Sequence, residues 1–273
     1  MNDQPLRSPS LGLLKALIVA TQAVALHPRQ ARQGKGLRIL YYHRISADRD
    51  ELAVHPESFR HQLDAIAKLG EPIVDLYAWA AKPEATPEGA IALTFDDAYH
   101  DFADNAYPLL RERRWPATVF VVAEAALGNL RFPWYPSRHP ELLRWDEMRA
   151  IEREGLARFE PHSLTHPVLT RVDDETAWRE ISGSKVAVED ELGREARIFC
   201  YPGGHFGPRE LAMAERAGYA AAVSCEYGVN LLPWDRYRLH RTIVDRYDRD
   251  FVFRARLTGS LDRAPFGRSA RGR

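Results

Sequence analysis

From residue 37 onward the chain alternates short apolar runs with stretches whose apolar residues recur every three or four positions. The runs are Leu37–Tyr42, Ala90–Phe95, Ala117–Val122, Ala157–Glu160, Arg197–Tyr201, Tyr219–Ser224 and Arg238–Val244. Runs this short and this apolar read as strands buried on both faces. Between them, Phe59, Leu63, Ile66 and Leu69 share one face of a helix that starts after Pro56 and stops at Gly70. Asp101–Arg113, Trp145–Glu154, Asp173–Leu192 and Pro208–Ala217 show the same period, and Gly155, Gly193 and Gly218 stand where C-terminal caps belong. Seven strands alternating with helices predict an α/β fold, a parallel sheet with right-handed crossovers, open or closed.

Two stretches break the alternation. Pro83–Glu88 is a Pro-rich surface loop, and Gly128–Pro140, rich in Pro, Trp, Tyr and Arg, reads as a long loop near the C-terminal edge of the sheet. The tail from Arg263 is Arg- and Gly-rich and reads as disordered. Ahead of the first strand, Leu11–Leu26 is apolar except for Lys15, Thr21 and Gln22. It is shorter than the ~20 residues a spanning helix needs. One reading is an amphipathic helix that packs on the domain or touches an anionic membrane through Arg29, Arg32, Lys35 and Arg38. The other is a secretory signal, since Ala23-Val24-Ala25 resembles a small-x-small cleavage site. The first places the protein in the cytoplasm or on the inner face of the membrane. The second, with residues 1–25 removed, places it in the periplasm.

Composition narrows the partners. Acidic and basic residues balance at 38 each, so there is no global basic field to favour nucleic acid. The two cysteines, Cys200 and Cys225, are too few for a disulfide framework and lie in apolar, strand-like runs, which suits a pair of buried thiols. With 273 residues the chain can bury a full core unaided. Nothing in the composition sets an oligomeric state.

The polar residues that end the strands carry the chemistry. In parallel α/β sheets, catalytic groups gather at the C-terminal strand ends. Ala90–Phe95 runs into Asp96-Asp97, and adjacent carboxylates there are unfavourable together unless a cation neutralises them. A helix-capping role is the structural alternative. Ala157–Glu160 runs into Pro161-His162-Ser163-Leu164-Thr165-His166-Pro167, where the flanking prolines favour a turn over a helix. Two imidazoles and a carboxylate make a three-ligand site with an open position, suited to zinc, with cobalt or nickel as alternatives. Arg197–Tyr201 runs into Pro202-Gly203-Gly204-His205, whose backbone N–H groups could face a developing oxyanion or form an ordinary turn.

Together these elements resemble the polysaccharide deacetylase family, the NodB-homology enzymes of carbohydrate esterase family 4. Thr94-Phe95-Asp96-Asp97-Ala98-Tyr99 is similar to its TFDDG motif, and His162–Pro167 fits H-[ST]-x-x-H-P. Phe199-Cys200-Tyr201-Pro202-Gly203-Gly204 resembles the third motif, while Ala217-Gly218-Tyr219 and Leu239-His240-Arg241 resemble later landmarks. Tyr41-Tyr42-His43-Arg44 resembles the opening of an exopolysaccharide-associated subset, and the likeness covers residues 37–245.

The resemblance implies a distorted (β/α) barrel of about seven strands over residues 37–260, with residues 1–36 an N-terminal extension and 261–273 a basic tail. It implies a metal-dependent hydrolase that removes N-acetyl groups from N-acetylhexosamine residues of an exopolysaccharide, oligosaccharide or lipid-linked precursor. Asp97, His162 and His166 would bind one divalent ion, Asp96 would be the general base, the Gly203 N–H would meet the oxyanion, and His240 would protonate the leaving amine. His43, Tyr201 and Arg241 would contact the sugar, while the aromatic loop Gly128–Pro140 would itself offer Trp134 or Tyr135 as part of the glycan cleft, unless these rings simply pin the loop to the barrel. Three positions depart from the family pattern. Ala98 replaces a glycine. Cys200 stands where many members carry the Arg that holds the catalytic Asp, so either Arg241 supplies that partner from another strand or Asp96 has none. Leu239 and His240 are adjacent where the family has L-x-H, which leaves His43 as a rival acid. A catalytically impaired glycan-binding homologue, and an amidase, deformylase or O-acetyl esterase with the same metal–water chemistry, are the competing readings.

Overall fold

The structure, a computed structural model, describes residues 36–128, 130–135 and 139–262. The N-terminal extension up to residue 35 and the tail from residue 263 lie outside them. In chain order the strands are β1 (Arg38–Tyr42), β2 (Arg44–Ile45), β3 (Ala53–Val54), β4 (Ile91–Phe95), β5 (Ala117–Val121), β6 (Ala157–Pro161), β7 (Ile198–Cys200), β8 (Ala221–Tyr227) and β9 (Leu239–Ile243). The helices are α1 (Pro56–Leu69), α2 (Leu76–Ala81), α3 (Tyr107–Arg113), α4 (Ala123–Ala126), α5 (Trp145–Arg153), α6 (Asp174–Leu192), α7 (Pro208–Arg216) and α8 (Asp250–Leu257).

Seven strands form one parallel sheet in the order β6-β5-β4-β1-β9-β8-β7, curled into the nearly closed barrel that the family resemblance implies. All seven expected strands and all five expected helices are present. Side chains alternate along each strand. Leu40, Tyr42, Leu93, Phe95, Val119 and Val121 therefore pack outward under the helices. Ile39, Ala92, Phe120, Cys200, Val223 and Leu239 point into the barrel, whose floor is closed by Leu76 and Trp79 of α2.

The seam between edge strands β6 and β7 is joined by a side chain. The fully buried Glu160 carboxylate of β6 accepts the Arg197 and Ile198 N–H groups at 2.7 Å each and pairs with Arg194 at 2.7 Å. Two helix ends follow the cap rules: Gly70 closes α1 and Gly193 closes α6, both left-handed at φ 73° and 65°.

The sequence pattern does not foretell the paired β2 and β3, helix α2 or helix α8, each too short or too weakly periodic to stand out. The expected helix Asp101–Arg113 opens with a wide turn over Phe102–Ala106, in which the Tyr107 N–H reaches back to the Phe102 carbonyl. Pro108, which has no N–H to donate, follows at the start of α3. Pro83–Ala85, inside the expected surface loop, form a single 3₁₀ turn. No described helix is long and apolar enough to cross a membrane.

Candidate active site

β4 delivers Asp96 and Asp97 to the top of the barrel, and both are buried, at 2% and 3% exposure. Their side chains part because the backbone turns sharply: Asp97 and Ala98 both take left-handed φ, 71° and 51°. Ala98 thus adopts the conformation that a glycine would hold without steric cost.

Asp96 is locked by Arg241. The guanidinium of this fully buried residue reaches across from β9 and donates to both carboxylate oxygens, at 2.7 and 2.8 Å. Burial opposes the charge on Asp96, yet Arg241, through its charge and these hydrogen bonds, brings the pKa down to about 2. Arg241 is therefore the partner for Asp96 and has no surface to offer a sugar, which corrects its expected substrate contact. Its second nitrogen also lies 3.2 Å from the Cys200 sulfur, so a small thiol occupies the place where an arginine would collide with Arg241. Cys200 is buried and Cys225 half-buried, both as free thiols.

Asp97 faces the other way, towards the turn that follows β6. Its Oδ1 lies 3.7 Å from Nε2 of both His162 and His166. That oxygen is fully buried and has no hydrogen-bond partner. An orphaned carboxylate oxygen costs several kcal/mol unless a cation or proton meets it. Burial, reinforced by the charge of Asp96, pushes Asp97 up to about 7. The imidazoles move the opposite way: burial drives His162 down to about 3 and His166 to about 4, so both are neutral and able to donate a lone pair. His162 Nδ1 bonds the Cys200 carbonyl at 2.8 Å, which leaves Nε2 turned towards Asp97. The residues fit a divalent cation.

A second trio, Asp96, His162 and Cys200, is also close enough to hold a metal ion. It suits a cation poorly. Both Asp96 oxygens are taken by a guanidinium, and burial pushes the Cys200 thiol well above its ordinary pKa, away from the thiolate a metal needs. Asp97, His162 and His166 are the better set.

The turn carrying the two histidines is strained, with Ser163 and His166 left-handed at φ 64° and 62°. Its main-chain groups are met one by one. Ser163 Oγ accepts the His166 N–H, the Ser163 and Leu164 carbonyls accept from the first residues of α4, and the Leu164 and Thr165 N–H groups go to Glu180. Sequence reasoning missed Glu180. The signal is there, since it lies on the buried stripe Ala177, Glu180, Ile181, Ser184 and Val188 of α6, where a carboxylate needs a reason.

The remaining expected residues divide. His43, at the top of β1 and edge-on to Tyr41, is half-buried and close enough for its charge to act on both Asp96 and Asp97. Gly203 sits exposed at φ 60° in the turn after β7, whose internal hydrogen bonds come from the Gly204 and His205 N–H groups. His240 does not join the site. Adjacent residues on a strand point to opposite faces, and Arg241 takes the inward one. His240 turns outward beside Gly228, on the face where Thr242 receives Arg38. Tyr201 does not line a sugar site either. It is fully buried, stacks on Phe206 and donates to the Tyr237 carbonyl at 3.0 Å.

Trp134 stacks on buried Phe132 at 4.5 Å, stands edge-on to His166 at 5.0 Å and donates to the Tyr99 hydroxyl at 3.3 Å. The Tyr135 hydroxyl donates to Asp50. These aromatics pin the loop and also wall the site on the His166 side. Beyond Tyr135 a cleft of about 570 Å³ continues past Arg44, Asp101, His100 and His139.

The polysaccharide deacetylase family profile matches residues 84–222. The chain is 26% identical over 211 residues to YxkH of Bacillus subtilis (strain 168), covering 76% of this chain and 71% of that one. It is 21% identical over 217 residues to the poly-beta-1,6-N-acetyl-D-glucosamine N-deacetylase of Staphylococcus aureus (strain MSSA476), covering 75% and 72%. Among solved structures, IcaB from Ammonifex degensii shares the fold with a TM-score of 0.71 at 22% identity, over 84% of this chain and 98% of that one.

Proposed function

Because the chain belongs to the polysaccharide deacetylase family, we propose that it hydrolyses N-acetyl groups on N-acetylhexosamine residues of an exopolysaccharide or its oligosaccharide or lipid-linked precursor, with one divalent cation held by Asp97, His162 and His166. The observation that carries this reading is the orphaned Asp97 Oδ1, equidistant at 3.7 Å from two neutral imidazoles, beside an Asp96 kept ionised by Arg241. The substrate class is supported by the likeness to a relative named as a poly-beta-1,6-N-acetyl-D-glucosamine N-deacetylase.

The cation, zinc in this reading, would supply Lewis acidity to the acetamide carbonyl and lower the pKa of the attacking water. The chain's own groups do the rest. Asp96, ionised and oriented by two hydrogen bonds, takes the proton from the water as it attacks the carbonyl carbon. The Gly203 N–H, at the exposed turn over β7, faces the oxygen as negative charge gathers on it. His43 gives a proton to the departing amine, a role for which His240 points the wrong way. Trp134 forms the aromatic wall for the reacting sugar, and the cleft past Tyr135 has room for its neighbours.

The test is acetate release from a panel of acetylated glycans, with and without chelator. Chelator-sensitive release from N-acetylglucosamine oligomers is expected. Release only from O-acetylated glycans would move the assignment to an esterase, and binding without turnover would make the protein a glycan-binding homologue. The reading of Leu11–Leu26 as a retained helix on the inner membrane face is tested by N-terminal sequencing. A mature chain that begins near Leu26 would place the enzyme in the periplasm.

A further inference from the structure

The turn that presents His166 cannot hold its own shape. Two of its residues, Ser163 and His166, are left-handed without being glycine, a conformation that persists only where the surroundings over-determine it. The Leu164 and Thr165 N–H groups between them need acceptors. Both find one carboxylate oxygen, Glu180 Oε2, at 2.9 and 2.8 Å. The other oxygen, Oε1, receives the Thr165 hydroxyl at 2.7 Å. Glu180 is 3% exposed and sits near the middle of the 19-residue α6, whose ends are fixed by Asp173 and Gly193. A long, capped helix is a rigid post for such a contact. One turn further along the same helix is Gly183, and a Cβ there would come within 2.9 Å of the Leu164 side chain. The helix is thus set against the turn closely enough for a short side chain to serve it.

We infer that Glu180 is a positioning residue for the metal centre: its carboxylate holds the 163–166 turn in the strained shape that aims His166 at Asp97. Glu180 touches neither substrate nor metal ligand directly and acts only through the turn. The inference rests on the metal site of the proposed function. It goes beyond it by making ligand geometry depend on a helix residue fourteen positions past His166. Partners of this kind are worth 10- to 100-fold in metal affinity.

The test compares Glu180→Ala, Glu180→Gln and wild type in the full chain. Zinc affinity is measured by competition with a chromophoric chelator, and the visible absorption of the Co²⁺-loaded protein reports ligand geometry. Glu180→Ala should bind zinc about 10–100-fold more weakly and show altered Co²⁺ bands. Glu180→Gln should recover most of both. Its amide oxygen can accept the two N–H groups, and its NH₂ can donate to Thr165 Oγ1. A purely structural role would lower the melting temperature of the metal-free protein and leave zinc affinity and the Co²⁺ spectrum of the folded fraction as in wild type, and that result overturns the inference. If Glu180→Ala does not fold, Thr165→Val removes one of the three contacts alone. It should weaken zinc binding by a smaller factor, and unchanged binding there also overturns the inference. Wild-type protein that binds no zinc would instead count against the metal site itself.

Discussion

Asp96 and Asp97 are chemically identical neighbours to which the proposed function gives opposite tasks, and their environments alone separate them. Asp96 has a guanidinium on both oxygens and is ionised at any pH above the ordinary carboxylate range, losing its charge only as the pH falls towards about 2. Asp96→Asn keeps the shape and removes the proposed base. It should cost about 10²–10⁴-fold in kcat while metal analysis shows full occupancy, and near wild-type turnover would remove the assignment. Arg241→Gln tests the lock. Burial by itself pushes the pKa of Asp96 up, so without the guanidinium Asp96 takes up its proton at higher pH. The acid limb of kcat/KM should therefore move upward in pH, and urea denaturation should show a loss of about 3–5 kcal/mol for the unpaired buried charge. An unmoved acid limb would mean that Arg241 does not govern Asp96. Residue identity alone left Arg241 and His240 ambiguous, because the family pattern places a histidine near the end of β9. The period of two along the strand resolves it: one of the two adjacent residues must face away, and the outward one is His240.

At the scale of elements, the strands and long helices were legible because each repeats its signal over several residues. Apolar runs mark strands buried on both faces, and a stripe every three or four residues, ended by glycine, marks α1 and α6. The two-residue strands β2 and β3 and the six-residue α2 have no room to repeat anything, so only tertiary contacts define them. The wide turn before Tyr107 and the left-handed turns around the histidines depend on hydrogen bonds to distant residues, which spacing along the chain does not encode. The β6–β7 seam is the same kind of feature. Glu160 ends an apolar run, and its three partners all lie more than thirty residues away. Glu160→Leu would leave the Arg197 and Ile198 N–H groups without their acceptor and take one of two carboxylates from Arg194, which keeps Glu152. A loss of about 3–5 kcal/mol is expected in urea denaturation. Stability within a few tenths of wild type would show that the seam is held by packing rather than by this carboxylate.

For the whole molecule, the barrel makes the site out of parts that are remote in sequence, and the cation would join them. Asp97 comes from β4, and His162 and His166 from the turn after β6, beyond the intervening β5 and α5. A ligand that binds only where these parts are assembled stabilises the folded state by RT ln(1 + [L]/Kd), about 2.7 kcal/mol at a hundred times Kd. For a chain of this size each kcal/mol is worth roughly 2–4 °C. Zinc at that excess should therefore raise the melting temperature of the chelator-treated protein by about 5–10 °C. Asp97→Ala, His162→Ala and His166→Ala should each lose the zinc-dependent rise, bound metal and acetate release together. The three variants need not share a metal-free melting temperature. Asp97→Ala removes the orphaned oxygen and its burial cost, while the histidine variants leave that oxygen buried and add a cavity. Asp97→Ala should accordingly be the most stable of the three without metal. A full zinc-dependent rise retained in any one of them would take that residue out of the ligand set.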